Sequence, residues 1–341
     1  MFFRKVIKHE NNSEIRTPID IMKSLRGKPS TASVEDVFYC FRLILGRDPN
    51  DEELTGHISA SVGRPIEDVV RKYIGSREFS DRELQVARID TNIVLSNVRG
   101  IHIYVNANDP IIGAGIIDGV YEKEVVKIFR SYLKPEMRVL DIGANMGFFS
   151  LLSAAIVGEK GKVFAVEPNI ANVKLIQASA RKNNFENIEI LAVAASDKPR
   201  LMFYNSSFSN GTTSIMSGSI DRIFGSSVVP SFPLDGIIDS KIDFLKIDVE
   251  GAEFLAMKGA ENLLKKYRPT IISEFTPNAM PSMSGIDGEG YLKFLGALGY
   301  KKSVINPDGD MIFCSSDEEI LNIHRERNTD HVDLFLEAGP D

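Results

Sequence analysis

The chain has 341 residues, which is enough for one large domain with a small one, or for two of ordinary size. Hydrophobic residues make up 43% and charged residues 26%, as in a globular protein with a normal core. The formal net charge of -7 predicts no broad basic surface, so a nucleic-acid partner is not expected. The two cysteines, Cys40 and Cys314, give no support to a disulfide framework or a cysteine zinc site and fit a reducing cytoplasm.

No segment has the composition of a membrane span or a secretory signal. The longest apolar run, at residues 148–158, is about half the length of a membrane span and is typical of a buried helix. Residues 1–10 contain too few apolar residues for a secretory signal. We expect residues 1–30, which are polar and lack a sustained period, to be a poorly ordered lead-in. The protein is expected to be soluble and cytoplasmic, without a transmembrane segment.

Residues 31–88 are predicted to form a small helical module. Ser33 and Asp36 have the spacing of a capping box, and the apolar residues after them recur at helical intervals. Two further short helices are predicted at 51–61 and 66–74. The stretches FRLILGRDPNDEEL and YIGSREFS resemble a small helical module of unknown function found in bacterial proteins linked to surface glycans. That resemblance implies self-association or docking to glycan-assembly proteins, and no chemistry.

Residues 89–341 are predicted to form one α/β domain. Residues 91–96 and 101–106 have a period of two, typical of paired strands around a turn at Arg99 and Gly100. Apolar strands then alternate with amphipathic helices, which predicts a Rossmann-like, mostly parallel sheet with helices on both faces. Residues 205–219 are rich in Ser, Gly and Thr, so we expect a surface loop there. The predicted strands are 138–142, 162–166, 188–192, 244–248 and 270–274, and the predicted helices are 121–133, 147–157, 170–183, 253–265 and 291–298.

The strongest functional signal is VLDIGANMGFFS, at residues 139–150. A buried strand runs into Asp141, and Gly143 and Gly147 frame a tight turn into a helix. Glycine lets the backbone approach a ligand closely, and this turn falls where ligands bind in open α/β sheets. The next strand, KVFAVEP, ends in Glu167, whose carboxylate is placed to accept both ribose hydroxyls of an adenosine. These two features together predict a nucleoside cofactor.

The glycine spacing separates the possible nucleoside cofactors. A dinucleotide site has the pattern G-x-G-x-x-G, whereas this turn reads GANMG from Gly143 to Gly147. Asp141, just before the turn, would repel a pyrophosphate but suits a cationic amino-acid group. S-adenosylmethionine has an α-ammonium group and a sulfonium and no phosphate, so it is the predicted cofactor. An NAD-dependent dehydrogenase is the weakest alternative.

Several motifs, in order along the chain, resemble the FkbM-type methyltransferases: DGVYEKEVV, VLDIGANMGFFS, AVEPN, FLKIDVEGAEFLAMKGA and RPTIISEF. The resemblance covers about residues 98–336 and implies a seven-stranded methyltransferase sheet. It also implies O-methylation, often of sugars in polysaccharide biosynthesis, on glycolipids or on secondary metabolites. The N-terminal module is not required by the family and leaves the partner open. The residues expected around S-adenosylmethionine are Glu122, Asp141, Gly143, Asn145, Gly147, Phe148, Glu167, Asn169 and Asp248.

O-methylation requires a group that takes the proton from the acceptor hydroxyl. The predicted catalytic candidates are carboxylates at the ends of the fourth and fifth strands: Asp248, Glu250 and Glu274. Lys246 lies two residues before Asp248, so both point to the same face of the sheet, and the lysine is expected to pair with a carboxylate or to hold a substrate oxygen. Glu253 is assigned mostly to a helix start. Asp248 has an alternative role on the cofactor amino group.

Other classes of protein fit the motifs less well. No metal is predicted, because no histidine or Asp-Asn cluster accompanies the carboxylates, and the five histidines are scattered and expected to be ordinary surface residues. A nucleic-acid amine methyltransferase would show an Asn-Pro-Pro-aromatic turn where this chain has DVEG. A cytosine C5 enzyme would show a cysteine after a proline. Two alternatives stay open: a binding protein that keeps the fold without activity, and a methyltransferase of a non-sugar small molecule.

Overall fold

The computed structural model describes residues 31–81, 92–206, 211–215 and 227–339. These residues belong to two units, and the boundary between the units lies between Asp90 and Thr91. The predicted lead-in, residues 1–30, lies outside the described residues. None of the helices described is long and apolar enough to cross a membrane.

The first unit is a group of short helices. Ser33 and Asp36 form the predicted capping box at the start of its first helix. The guanidinium of Arg47 contacts the carboxylates of Glu53, at 2.8 Å, and Glu78, at 2.5 Å, and so ties the second helix to the last. The helices are α1 (Val34–Tyr39), continued by a π-helical turn over Cys40–Ile44, α2 (Asp51–Ser61), α3 (Ile66–Ile74) and α4 (Arg77–Asp81).

The second unit contains the predicted alternation of strands and helices. Its strands are β1 (Ile93–Val98), β2 (Ile101–Asn106), β3 (Arg138–Ile142), β4 (Lys162–Val166), β5 (Ile188–Leu191), β6 (Ala194–Ala195), β7 (Arg200–Ser206), β8 (Gly211–Ile215), β9 (Ser227–Phe232), β10 (Phe244–Ile247), β11 (Thr270–Phe275), β12 (Tyr300–Ile305), β13 (Met311–Cys314) and β14 (Val332–Ala338). Its helices are α5 (Ile112–Ile117), α6 (Lys123–Tyr132), α7 (Phe148–Val157), α8 (Ile170–Lys182), α9 (Glu253–Lys258), α10 (Glu261–Tyr267), α11 (Met280–Met283), α12 (Gly288–Ala297) and α13 (Asp317–Arg327).

One sheet of eight strands organises this unit, in the order β13-β12-β14-β11-β10-β3-β4-β5. The strands β11, β10, β3, β4 and β5 are parallel neighbours, and β14 lies antiparallel between β11 and β12. Seven of the strands correspond to the expected seven-stranded sheet, and β13 extends it at one edge. The hairpin β1-β2 turns at Arg99 and Gly100, as predicted.

Two apolar cores cover the two faces of this sheet. Leu140 and Leu245 belong to one core, whereas their chain neighbours Val139 and Phe244 belong to the other. Successive side chains of a strand point to opposite faces, so strands that are apolar throughout are buried on both sides. By the same alternation, Lys246 lies on the face of Phe244 and not on that of Leu245.

The prediction of a surface loop at residues 205–219 is wrong for its described part. Residues 211–215 form β8, which pairs antiparallel with β7 in a second sheet of order β6-β9-β7-β8. The composition favours turns, but Gly211 is used for close packing: a Cβ there would lie 1.7 Å from Oη of Tyr204. The predicted helix 253–265 is also divided, into α9 and α10. A Cβ at Gly259, between them, would lie 2.0 Å from the backbone oxygen of Ser196, so glycine at this position lets the backbone just after β6 approach.

The division between Asp90 and Thr91 leads to a first prediction. A chain that begins at Asp90 should fold and bind S-adenosylmethionine like the full protein, because every residue that lines the cavity described below comes from the second unit. Circular dichroism and calorimetry with the cofactor check this expectation. An insoluble or non-binding product would assign the helical module to the catalytic domain.

Candidate active site

A cavity of about 480 Å³ opens at the carboxyl edge of the parallel strands. The loops after β3, β4 and β10 line it, together with the end of β11, α5, the turn before α6 and the residues around the start of β14. Ligands of open α/β sheets bind at this edge. The volume lies in the range of small-molecule sites, about 300–1,000 Å³. The sequence predicts the site at the same edge.

The turn from β3 into α7 is set by two glycines with different tasks. Gly143 has a φ of +83°, and a Cβ there would lie 1.8 Å from the backbone oxygen of Asp248. This glycine therefore lets the loops after β3 and β10 meet. Gly147 has a φ of +89°, and a Cβ there would lie 2.8 Å from Cγ1 of Ile176. Its task is the packing of α8, and it does not line the cavity.

Glu167 forms the wall where the adenosine is expected. Its carboxylate accepts hydrogen bonds from the backbone N–H groups of Asn145, at 2.8 Å, and Asn169, at 2.7 Å. These bonds fix the orientation of the carboxylate and leave a further lone pair on each oxygen. Burial raises the pKa of Glu167 to about 7, although the two backbone N–H groups oppose the shift. Asn172 and Tyr204 line the cavity beside it.

The structure brings the three predicted catalytic carboxylates together. Asp248, Glu250 and Glu274 each have one oxygen within 4.8 Å of the others. Burial, and next the charge of Asp248, raise the pKa of Glu250 to about 7. The same two causes, in the same order, raise the pKa of Glu274. Together with Glu122 and Asp333, these residues are called the acidic wall below.

Lys246 supplies a counter-charge to the acidic wall. Its side chain is 5% exposed, with Nζ 3.1 Å from Oδ2 of Asp248 and 4.6 Å from the ring centroid of Phe149. Burial alone lowers the pKa of a lysine. The neighbouring carboxylates, Asp248 first, outweigh burial and raise the pKa of Lys246 above its ordinary value. Lys246 is therefore charged, and it makes the pairing with a carboxylate that the sequence allows.

Two further predicted residues, Asp141 and Glu122, lie close to this lysine. Asp141 is next to Lys246 in the register of β3 and β10, and its carboxylate accepts a hydrogen bond from Oγ of Ser150 at 2.6 Å. Burial raises the pKa of Asp141. Glu122 precedes α6 with a left-handed φ of +39°, and burial raises its pKa to about 7. Both residues line the cavity.

Three lining residues at or just before the start of β14 were not predicted from the sequence: Asp330, His331 and Asp333. β14 is antiparallel to β11, so its first residues lie beside the last residues of β11, and Asp333 is paired with Glu274. Nδ1 of His331 lies 2.9 Å from Oδ1 of Asp330 and 3.5 Å from Oε1 of Glu274. Burial raises the pKa of Asp333 to about 6. The available signal was the alternation in HVDLFLEA, which is typical of a strand that starts polar.

Tyr204 and Thr213, in the second sheet, were missed as well. Both side chains are buried and line the cavity. Oη of Tyr204 accepts a hydrogen bond from Nδ2 of Asn169 at 3.2 Å, which ties the second sheet to the start of α8. The composition around Thr213 is typical of turns, so the sequence does not indicate that this segment lines the cavity.

Seven of the nine expected cofactor residues line the cavity and two do not. Gly147 and Asn169 lie beside it; Asn169 caps α8 through a bond from the N–H of Ala171 and supports Glu167 through its backbone. Glu253 is buried and accepts the N–H groups of Val249 and Gly251, so it serves the loop and not the cavity. The seven lining residues are Glu122, Asp141, Gly143, Asn145, Phe148, Glu167 and Asp248.

The family model described as the methyltransferase FkbM domain matches residues 141–302, a range that contains both glycines, Glu167 and the three catalytic candidates. Residues 141–302, slightly less than half of the chain, are therefore similar to the methyltransferase FkbM domain. Over these residues the match confirms the resemblance drawn from the motifs.

Shorter stretches of the chain are similar to two curated methyltransferases. One is the probable cobalt-precorrin-6B C(15)-methyltransferase (decarboxylating) of Sulfolobus acidocaldarius, 36% identical over 70 residues, which are 20% of this chain and 36% of that protein. The other is protein-L-isoaspartate O-methyltransferase 1 of Arabidopsis thaliana, 39% identical over 59 residues, which are 16% of this chain and 26% of that protein. The chain thus spans about a third and a quarter of the length of these relatives.

Among solved structures, the chain is similar to a methyltransferase FkbM from Methylobacillus flagellatus. The TM-score is 0.37 and the identity 14%, and the similarity covers 87% of this chain and 58% of that one.

The buried carboxylates predict that the ligand-free protein is more stable in mild acid than in mild base. Burial raises the pKa of Glu122, Glu167 and Glu253 to about 7, from an ordinary value of 4.5. A raised carboxyl pKa gives stability that is complete below the unfolded value and is lost as the pH rises through the folded value. The free energy of unfolding should fall from about pH 5 to about pH 8, by about 1.4 kcal/mol per pH unit for each group that titrates.

Urea denaturation across this pH range measures the slope. Glu253→Gln is the matched variant: its amide oxygen can still accept the two N–H groups, and the residue does not line the cavity, so the slope should become shallower while cofactor binding persists. Stability that rises from acid to base would contradict the assignment of the raised pKa values.

Proposed function

We propose that this chain is an S-adenosylmethionine-dependent O-methyltransferase that acts on a hydroxyl of a sugar, in a surface glycan, a glycolipid or a secondary metabolite. The observation that carries the proposal is a single cavity with Glu167 in one wall and the acidic wall beside it. Glu167 suits a nucleoside, and the acidic wall suits a cationic reacting group. The residues matched to the FkbM domain include Glu167 and three members of the acidic wall, Asp248, Glu250 and Glu274.

The donor set fits S-adenosylmethionine. Glu167 would accept the ribose hydroxyls, because its carboxylate is already oriented by two backbone N–H groups and has free lone pairs. Asp141 and Asp248 would face the amino-acid end, where an ammonium needs carboxylate partners. When bound, the cofactor supplies an electrophilic methyl group on a cationic sulfur. The protein holds the acceptor in line with that group and removes a proton from it.

The charge of the cavity supports a neutral acceptor. Among the described lining residues, the carboxylates face only Lys246 and His331 as possible cations. A phosphate or a carboxylate on the acceptor would be repelled, whereas a sugar hydroxyl is neutral and finds hydrogen-bond acceptors. This argues against a nucleic acid as the acceptor. The lining carboxylates are Glu122, Glu124, Asp141, Glu167, Asp248, Glu250, Glu274, Asp330 and Asp333.

The acidic wall is where the hydroxyl proton would leave. Asp248 is held in place by the ammonium of Lys246, so it is better suited to orient the reactants. Glu250 and Glu274, whose pKa values are raised, are better suited to take part in the proton transfer near neutral pH, as acceptors or as partners of the group that accepts. The proposed proton transfer does not require a metal ion, because the ammonium of Lys246 already supplies positive charge at the acidic wall.

The relatives support methyl transfer and leave the acceptor atom open. By their names, one transfers a methyl group to carbon and the other to oxygen. Oxygen is favoured here because the cavity offers proton acceptors beside a neutral site. The sugar rests on the motif resemblance, so a non-sugar small molecule is the second candidate, and a binding protein without activity is the third.

The remaining residues suggest where the protein works. Cys40 and Cys314 are buried free thiols, which fits a cytoplasmic location. For the helical module, residues 31–88, we propose self-association or docking to glycan-assembly proteins. The exposed apolar side chains of Tyr39 and Leu43, on the first helix and its π-helical continuation, support a contact role.

Cofactor binding is the first test of this function. S-adenosylmethionine and its demethylated product should bind, and NAD should not, because a dinucleotide phosphate would meet Asp141 and its neighbours. Glu167→Ala should weaken binding by about 1–3 kcal/mol, since the ribose hydroxyls lose their acceptor. Calorimetry measures both effects, with the exposed Glu186→Ala as the control. Binding of NAD without binding of S-adenosylmethionine would contradict the proposal.

Turnover is the second test. Radiolabelled S-adenosylmethionine should label lipid-linked sugars or envelope glycans, and EDTA should leave the rate unchanged because no metal is required. Glu250→Gln and Glu274→Gln keep the side-chain shape and remove the charge, so turnover should fall by roughly a hundredfold while cofactor affinity persists. Loss of activity with EDTA would show a metal enzyme. A cofactor-binding protein that labels no fraction would favour the third candidate.

A further inference from the structure

We propose that His331 is the catalytic base that takes the proton from the acceptor hydroxyl, and that the carboxylates around it stabilise the charge it acquires. The proposal rests on the function proposed above and names the residue that performs its proton transfer. His331 lines the cavity immediately before β14, and its side chain is 40% exposed. It therefore faces both the cavity and the solvent.

The surroundings of the ring select one tautomer of His331. Nδ1 lies 2.9 Å from Oδ1 of Asp330 and 3.5 Å from Oε1 of Glu274. A lone pair on Nδ1 would face two carboxylates and be repelled, whereas a proton there is attracted. Neutral His331 therefore keeps its proton on Nδ1. Its other nitrogen, Nε2, has a lone pair and no hydrogen-bond partner among the residues that the structure describes.

Carboxylates surround the ring on several sides. Nδ1 lies close to Asp330 and Glu274, and Glu250 and Asp333 line the same cavity. An imidazolium formed during proton transfer would be attracted by these negative charges. They come from the loop after β10, from β11 and from both sides of His331 on its own segment. A base that gains charge in the transition state is served by such neighbours.

The loop that carries His331 is fixed by hydrogen bonds. The N–H of His331 donates to Oδ1 of Asp330 at 3.0 Å, and Oγ1 of Thr329 donates to the backbone oxygen of His331 at 2.7 Å. Val332, the next residue, is already paired with Phe275 of β11. The imidazole thus has a defined position at the end of the sheet, as a general base requires.

The proton transfer balances without a further reactant. The acceptor oxygen gives its proton to Nε2 as it forms its bond to the methyl group, and the electron pair of the broken sulfur–methyl bond stays with sulfur. The positive charge of the sulfonium is lost, and His331 becomes an imidazolium. The exposed side of the ring then returns the proton to water.

Replacement of the imidazole tests this role. His331→Gln and His331→Ala should lower turnover about 10²–10⁴-fold, because the proton acceptor is removed, while affinity for the demethylated cofactor stays unchanged. Added imidazole should restore part of the activity of His331→Ala. His102→Gln, which removes an imidazole of the same unit that does not line the cavity, should have full activity. Full turnover in either His331 variant overturns the proposal and leaves the methyltransferase function intact.

A second measurement needs no acceptor and separates this proposal from the function it rests on. Nitrogen-15 NMR of histidine-labelled protein distinguishes the tautomers, and the His331→Gln spectrum identifies which of the five histidine signals is that of His331. We expect Nδ1 to be protonated and Nε2 to be bare in the neutral ring, and Asp330→Asn to weaken this preference. A proton on Nε2 in the neutral ring overturns the proposal, even in a protein whose acceptor is unknown.

Discussion

The ammonium of Lys246 lies inside the sheet, at the carboxyl edge of β10, between the carboxylate of Asp248 and the ring of Phe149. Asp141 lies next to it in register, and Glu122 adds to the field that keeps it charged. Removal of a buried charge costs several kcal/mol when its partner stays behind unpaired, about 3–5 kcal/mol for a buried pair. The acidic wall therefore depends on this one lysine more than on any of its own carboxylates.

The lysine offsets only part of the charge that the acidic wall would carry. Burial and mutual repulsion then raise the pKa values of Glu122, Glu250 and Glu274, so the ligand-free cavity holds protons near neutral pH. A cationic ligand relieves the same repulsion without protons. Repulsion among these carboxylates thus lowers the stability of the ligand-free protein, and binding of the cationic cofactor relieves it. The same excess of negative charge therefore affects both the stability of the protein and its recognition of the cofactor.

The site residues that follow parallel strands could be predicted from the sequence, whereas those that precede an antiparallel strand could not. Asp141, Glu167, Asp248 and Glu274 all stand at or just after the carboxyl end of a strand, and in a parallel sheet those ends share one edge. Placement along the chain was enough to bring them together. His331 stands before a strand, so its presence at the same edge depends on the reversed direction of β14, which local pattern does not reveal.

The second sheet shows a different limit of the sequence. The pattern around Thr213 predicts turns, because Gly, Ser and Thr are common in loops and weak in strand interiors. The segment forms strand β8 because of a contact with the neighbouring strand, which local sequence preferences do not include. Gly211 leaves room for the ring of Tyr204, and Tyr204 in turn accepts a hydrogen bond from Asn169. Gly211, which in the sequence indicates a loop, is thus the residue that lets the ring of Tyr204 lie beside Glu167. Packing across strands, which composition cannot encode, decides the shape of the nucleoside side of the cavity.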